Sequence, residues 1–288
     1  MSDFSDYAFL RFLSEKLVCV TGIQYDGPKD RPDKPHRFCF SGTLMSFGND
    51  LLLVTAGHCL KDLDKAMQVS KIDEVSIIDY LGENATHHMR VPFDYANSNR
   101  WYEYKVHGLD VGIIYLRDFY RRQLEKNKVP IDEAQWRRQP VDYFLYILIG
   151  TPEAYIDGAE IEKALIQPCG IKVSRLNSTP QEYLETSECD PDEVEDNPEI
   201  RDDMFYGILP LGATLPTFVD GRQSIVGMSG GPILGFAWVK GEMRYWPVAI
   251  QSNWHRPTRT IKATPIPLFG PAVVAWLEYV RKSGKLFA

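Results

Sequence analysis

The feature that most constrains the fold of this chain is a long succession of short β-type segments. The segments are rich in β-branched and aromatic residues or alternate apolar with polar residues, and Gly, Asn or Asp separates several of them. They read FCFSGTLMSF, LLLVTAGHC, KIDEVSIIDYL, HHMRVPF, DVGIIYL, VDYFLYILIG, EIEKALIQPCGIKVSRL, MFYGILPL, GPILGFAWV, RYWPVAIQS and RTIKATPI. Because regular helices do not alternate with these segments, the pattern predicts an antiparallel sandwich or barrels.

Helical patterns occur at three places in the chain. Residues 5–17 have apolar side chains close to helical spacing and predict an N-terminal helix. Residues 117–138 predict a polar helical insertion that Pro130 interrupts, and residues 267–285 predict a C-terminal helix. Residues 182–203 are strongly acidic and predict a solvated loop between strands.

The composition is that of a globular chain, with 44% hydrophobic and 25% charged residues. The net charge of −7 argues against a nonspecific grip on nucleic-acid phosphates. The acidic start of the chain differs from a signal peptide, and no apolar stretch approaches the ~20 residues that span a bilayer. The five cysteines form no C-x-x-C pair, which excludes a zinc ribbon and does not indicate a disulfide framework. We expect a cytoplasmic chain without metal or cofactor that binds neither nucleic acid nor membrane.

The sequence IVGMSGGP at residues 225–232 places Ser229 among three glycines and a proline. Such a cluster is typical of a tight turn, because Gly tolerates positive φ and Pro fixes φ. It also fits a nucleophilic serine whose neighbouring backbone N–H groups must approach an oxyanion closely. The second interpretation requires a general base and an orienting carboxylate elsewhere in the chain.

Two other segments offer these groups. His58 follows an apolar strand in LLLVTAGHCL, and Asp110 stands at the entrance of another in HGLDVGIIYL. Taken singly, each is more commonly a structural residue. Together, T-A-G-H-C, L-D-V-G-I-I-Y-L and G-M-S-G-G-P follow one another in that order. This resembles the trypsin/chymotrypsin family of double-β-barrel serine peptidases, whose motifs occur in the same order.

The resemblance implies a fold and a division into two domains. The fold would be all-β, with two packed six-stranded antiparallel barrels that meet at the active site. Residues 1–145 would contain the N-terminal helix, the first barrel with His58 and Asp110, and the helical insertion. Residues 146–288 would contain the second barrel with Ser229 and the C-terminal helix.

The resemblance also implies a role for each site residue. Ser229 would attack a peptide carbonyl, and His58 would accept its proton and later donate it to the leaving amine. Asp110 would fix the tautomer of the imidazole and stabilise the imidazolium. The N–H groups of Gly227 and Ser229 would form the oxyanion hole.

The chain departs from secreted members of the family in features that concern activation. Met228 occupies the position where secreted trypsins carry an Asp that pairs with a new N-terminus, so activation by N-terminal insertion is not expected. Cys39 and Cys59 could approach each other, but a reducing cytosol would leave both as thiols. Because an intracellular protease that is not activated by N-terminal insertion still needs control, our hypothesis is that a protein partner regulates it.

The resemblance gives three substrate-binding candidates. The position of the primary pocket floor falls on Gln223, six residues before the nucleophile. The strand that pairs with substrate would be IQSNW, with Ser252 beneath Asp110 and Trp254 at the pocket wall, although packing is an equally good explanation of Trp254. Because Gln223 carries no charge, we expect a neutral residue before the scissile bond rather than Arg or Lys.

The sequence therefore predicts a cytoplasmic serine endopeptidase of limited specificity that acts on protein or peptide substrates. The alternative is a catalytically silent peptide-binding module on the same fold. An α/β-hydrolase also uses G-x-S-x-G, but its nucleophile precedes its acid and base in the chain, whereas Ser229 follows both.

Overall fold

The computed structural model describes residues 12, 15–78, 90–104, 108–137, 142–155, 168–183, 203–213, 215–217, 221 and 223–283. Most of these residues belong to antiparallel strands, which form two units. The all-β class predicted from the short alternating segments is confirmed.

The first unit is a seven-stranded antiparallel sheet in the order β5-β4-β1-β2-β3-β7-β6. Its strands are β1 (Leu17–Tyr25), β2 (Pro35–Phe47), β3 (Asp50–Thr55), β4 (Ile72–Ile78), β5 (Arg90–Pro92), β6 (Arg100–Tyr104) and β7 (Asp110–Leu116). Where six strands were expected, the described residues form seven, because β6 pairs with β7 and adds a strand at one edge. Residues 79–89, between β4 and β5, lie outside the described residues.

The second unit is a closed antiparallel barrel of six strands in the order β10-β13-β12-β11-β8-β9, as predicted. Its strands are β8 (Leu145–Gly150), β9 (Cys169–Arg175), β10 (Phe205–Ile208), β11 (Pro232–Val239), β12 (Glu242–His255) and β13 (Thr260–Pro265). Because Ser229 precedes β11 by only three residues, the GMSGG segment leads directly into the barrel wall. The predicted domain boundary at residue 145 coincides with the start of β8 and stays a prediction.

The helices agree with the sequence only in part. Helix α1 (Gly57–Val69) was missed, because TAGHC was interpreted as the end of a strand that in fact stops at Thr55. The insertion forms α2 (Asp118–Leu124) and α3 (Glu133–Arg137), and the C-terminal helix is α4 (Ile266–Lys282). These two predictions are confirmed.

Two other sequence predictions fall mainly outside the described residues. Of the predicted N-terminal helix, Phe12 and residues 15–17 are described, and Leu17 already belongs to β1. Of the acidic segment, residues 184–202 are not described. Among the helices that are described, none has the length and apolar character needed to cross a membrane.

Separate apolar clusters stabilise the two units, and a third joins the C-terminal helix to the first sheet. On one face of the first sheet, Leu44, Leu53 and Ile114 belong to a buried apolar cluster. A second cluster in the barrel includes Phe205. On the opposite face of the first sheet, α4 and α3 pack against β2, β3 and β7. The C-terminal helix was expected within the second domain; its apolar cluster combines residues of the first sheet with Ile250 of β12, and the helix also lies against β12 and β13 of the barrel, so this assignment stays a prediction.

Candidate active site

His58 and Asp110 are held together by two hydrogen bonds. The backbone N–H of His58 donates to Asp110 Oδ1 and the ring Nδ1 lies against Asp110 Oδ2, both at 2.8 Å. His58 is in the first turn of α1 and Asp110 is the first residue of β7, which pairs with β3 just before that helix. Because one carboxylate binds both the backbone N–H and ring Nδ1 of His58, it fixes the orientation of the imidazole and leaves Nε2 available to accept a proton.

Asp110 is also anchored to the second unit. The backbone N–H of Asp110 lies 3.3 Å from Thr264 Oγ1, and Thr264 Oγ1 lies 3.1 Å from the Asp110 carbonyl. Thr264 belongs to β13 of the barrel and is fully buried. The carboxylate side chain is only 15% exposed, so it interacts with His58 with little screening by water.

Several contacts act on the pKa of His58. Burial by itself lowers the pKa of the imidazole, but the adjacent Cys59 and the hydrogen bond that the ring donates to Asp110 outweigh burial and raise this pKa above the ordinary value. Cys59 Sγ lies 3.5 Å from His58 Nε2. Among the described residues, no hydrogen bond joins Nε2 to Ser229 Oγ, which is common for catalytic contacts in the absence of substrate.

The turn that carries Ser229 is fixed by hydrogen bonds on both sides. Ser41 of β2 donates its hydroxyl to the Gly227 carbonyl at 2.9 Å and its N–H to the Ser229 carbonyl at 3.0 Å. Thr43 donates its hydroxyl to the Gly230 carbonyl at 3.0 Å. On the other side, Gly230 N–H donates to the Gln251 carbonyl at 2.8 Å. The first sheet and the barrel therefore both hold the turn.

Two further hydrogen bonds orient the N–H groups of Gly227 and Ser229. The Val226 carbonyl accepts a hydrogen bond from Glu153 N–H at 2.7 Å, and the Met228 carbonyl accepts one from Gly231 N–H at 2.9 Å. In a planar trans peptide the N–H points opposite to the C=O, so these bonds direct the N–H groups of Gly227 and Ser229 away from the carbonyl partners. In the part of the chain that the structure describes, neither N–H has a hydrogen-bond partner.

Glycine is required at two positions of this turn. Gly227 has φ of 90°, and a Cβ there would lie 2.5 Å from Glu153 N. Gly230 has φ of 89°, and a Cβ there would lie 2.0 Å from the Ser41 carbonyl oxygen. The backbone conformation therefore excludes a side chain at both positions, and so does the close approach of Glu153 at Gly227 and of the first sheet at Gly230.

His58 and Ser229 line one cavity of about 240 Å³ at the junction of the two units. An antiparallel sheet with the imidazole and carboxylate thus meets a closed six-stranded barrel that carries the serine turn. A closed six-stranded barrel, a second antiparallel unit and a C-terminal helix are the elements that the resemblance to chymotrypsin-like peptidases predicted.

The comparisons with known proteins find distant similarity. No protein-family model matches the chain, and no curated protein matches its sequence. The scabies mite inactivated protease paralogue S-I1 is 14% identical, with 95% of this chain and 96% of that chain covered and a TM-score of 0.49. The protease Anisep from Arthrobacter nicotinovorans is 13% identical, with 87% and 90% covered and a TM-score of 0.44. The tobacco vein mottling virus protease is 9% identical, with 89% and 79% covered and a TM-score of 0.42.

The three residues predicted to bind substrate do not line the cavity of His58 and Ser229. Gln223 is exposed and forms an isolated bridge with Thr217, and it does not line the cavity beside Ser229. Ser252 is buried and donates its hydroxyl to the Lys262 carbonyl at 3.3 Å. Trp254 packs against the barrel core. The structure thus brings His58, Asp110, Ser229 and Gly227 to one place, and leaves these three outside the cavity.

Ser41 is the residue that sequence reasoning missed. Its hydroxyl bridges the two units, since it donates to the turn and accepts a hydrogen bond from Thr151 N–H at 2.8 Å. In the sequence it is one small polar residue within a β-type segment, and only the packing of the two units reveals its contacts. Cys19, Cys39, Cys59 and Cys169 are free thiols, and the described residues contain no group of three or more His, Cys, Asp or Glu that could hold a metal ion.

Proposed function

We propose that the protein is a serine endopeptidase with the triad His58, Asp110 and Ser229. One observation carries the proposal: a histidine bound to a carboxylate shares a cavity with a serine on a clamped turn, and the turn presents two N–H groups that no group among the described residues accepts from. Two such N–H groups beside a histidine are what an oxyanion hole requires.

The chemistry follows from these contacts. Neutral His58 accepts the proton of Ser229 through Nε2 while Oγ attacks the substrate carbonyl, and Asp110 stabilises the imidazolium that forms. The N–H groups of Gly227 and Ser229 donate to the developing oxyanion; in other enzymes, removing one such donor costs about 3 kcal/mol of transition-state stabilisation. His58 then donates its proton to the leaving amine, and water hydrolyses the acyl-enzyme by the same steps in reverse.

We further propose that the enzyme is cytoplasmic, cleaves a limited set of sites and is controlled by a partner protein. The described cysteines are unpaired, as a reducing compartment would leave them. The resemblance assigns the uncharged Gln223 to the floor of the substrate pocket, outside the cavity that Ser229 lines, and on this assignment the residue before the scissile bond is small, polar or apolar.

The test is cleavage of a proteome-derived peptide library by the native protein and by Ser229→Ala. We expect new peptide termini with the native protein alone, preceded by neutral residues. Complete absence of cleavage, with the peptides bound instead, would establish the silent binding module. A strong preference for Arg or Lys would reject the Gln223 assignment while leaving the peptidase intact.

A further inference from the structure

One nucleophile beside the site takes no part in the proposed mechanism. Cys59 follows His58 in α1, and its sulfur lies 3.5 Å from Nε2. The thiol is partly exposed and lines the same cavity of about 240 Å³ as Ser229. A small molecule that enters this cavity therefore reaches both the sulfur and the imidazole.

The geometry around Cys59 provides a proton acceptor for its thiol. His58 Nε2 can accept the thiol proton, and the resulting imidazolium is held by Asp110. Cys59 also lies in the first turn of a helix of 13 residues, where the positive end of the helix dipole stabilises an anion. Thiolates at helix N-termini and beside protonated histidines are the reactive ones in proteins.

We propose that Cys59 is a covalent modification site for small neutral or cationic disulfides, and that the adduct silences Ser229. The Cys59 thiolate attacks one sulfur of the incoming disulfide, a new S–S bond forms, and the disulfide's own S–S bond breaks. The departing thiolate takes the proton from His58, so Cys59 is oxidised and the departing group is reduced to a thiol. The second part of this inference rests on the proposed peptidase function.

The charge of the residues that line the cavity should determine which disulfides react fastest with Cys59. Asp62 is exposed and lines the cavity, and apart from His58 it is the one residue with an ionisable oxygen or nitrogen among the described lining residues. An anionic disulfide is repelled by this carboxylate, whereas a cationic one is attracted. Cystamine, with two ammonium groups, should therefore react faster than dithiodipropionate, with two carboxylates, and Asp62→Asn should remove most of the difference.

Cys39 provides a matched control within the same cavity. It is also partly exposed and lines the cavity, but burial and a hydrogen bond with the Cys19 thiol raise the pKa of Cys39 well above its ordinary value. Cys39 therefore lines the same cavity with a more buried thiol that has no hydrogen bond to His58 among the described residues, and it tests whether lining the cavity is enough for reaction. Burial likewise raises the pKa of Cys169 to about 12.

The first experiment measures the rate at which cystamine modifies each cysteine, by mass spectrometry, in a Cys189→Ser background. We expect Cys59 to react at least about tenfold faster than Cys39, and His58→Gln to remove most of this advantage. Equal rates for Cys59 and Cys39, or a Cys59 rate unchanged in His58→Gln, would overturn the modification site. This readout does not depend on peptidase activity.

The second experiment measures labelling of Ser229 by a fluorophosphonate before and after cystamine treatment. We expect the native protein and Cys39→Ala to lose labelling and to regain it with a thiol reductant, while Cys59→Ala and Cys59→Ser stay reactive throughout. Retained labelling of the native protein with Cys59 fully modified would overturn the silencing. Absence of labelling before treatment would instead count against the proposed peptidase.

Discussion

The two halves of the candidate site are built in different ways. His58 and Asp110 are joined by their own side chains, and both belong to the first sheet or the helix that follows it. The half that carries Ser229 is a turn at the edge of the barrel, fixed by backbone groups and clamped from the first sheet by Ser41 and Thr43. The first unit therefore supplies the proposed base and also holds the turn of Ser229 in place.

We therefore expect the two halves to respond differently to substitution. The base half depends on the chemical identity of two side chains. The nucleophile half depends on backbone directions, so residues that never touch substrate should change catalysis by moving the turn. The expected effects below run from the largest to the smallest.

The largest effect is expected when either half loses its reacting side chain. Ala at His58, Asp110 or Ser229 should each lower kcat/KM for peptide cleavage by about 10³-fold or more, because the three residues act as a unit. For the same reason, the double variant of His58 and Ser229 should be little slower than either single one. Steady-state kinetics on one peptide would decide it, and fully additive losses would contradict the shared unit.

A smaller loss is expected when the turn is distorted without removing any reacting group. Gly227→Ala places a Cβ 2.5 Å from Glu153 N and should displace one oxyanion donor, with kcat lowered about 10²-fold. Gly241→Ala is the matched control, because Gly241 has a similar φ of 84° and its added Cβ meets nothing within 4 Å. It should cost stability only. Equal losses of activity in both variants would point to backbone strain rather than to the donor.

Loss of the hydrogen bonds that Ser41 makes with the turn should moderately lower both the stability and the rate of catalysis. Ser41→Ala leaves the Gly227 carbonyl and Thr151 N–H without their partner, which should lower the free energy of unfolding by about 1–3 kcal/mol and lower kcat. Ser76→Ala replaces a buried serine of β4, which β1 separates from β2, and should lower stability alone. Denaturant unfolding and kinetics on both variants test this. A normal kcat in a destabilised Ser41→Ala protein would show that the clamp does not position the nucleophile.

The smallest expected effect is a shift of the pH profile. Only the neutral imidazole can accept the serine proton, and the pKa of His58 is raised by Cys59 and Asp110 despite burial. Activity should therefore increase with pH, with its midpoint above the ordinary imidazole value of about 6.5. Cys59→Ala removes one cause of the increase in pKa and should move the midpoint to lower pH, whereas Cys169→Ala should not. A profile flat between pH 5 and 8 would exclude His58 as the base.

The sequence was a good guide to the barrel and to the chemical groups of the site. Alternating and β-branched segments locate most of the strands, because side chains in a sheet alternate between its two faces. The three motifs point to His58, Asp110 and Ser229, and in the structure His58 binds Asp110 and lines one cavity with Ser229. Their residue types follow from the chemistry of a triad, whereas their chain order depends on the fold that carries them.

The sequence was a poor guide to α1 and to the clamp. Helix α1 begins within TAGHC, directly after the fully buried strand β3, so no turn residues separate the two elements in a way that the pattern could show. Ser41 acts across two units that are far apart in the chain, and such contacts leave no local signal. Gln223 was placed by its offset from Ser229, but an offset along the chain does not determine where an exposed side chain points.

The central claim is that Ser229 is a nucleophile activated by His58 and Asp110. The most direct measurement is fluorophosphonate labelling followed by peptide mapping, in the native protein, His58→Ala, Asp110→Asn and Ser229→Ala. The account predicts a single adduct on Ser229 in the native protein, formed much more slowly in His58→Ala and Asp110→Asn and absent from Ser229→Ala. An adduct on another residue, or a rate on Ser229 that does not depend on His58, would contradict it.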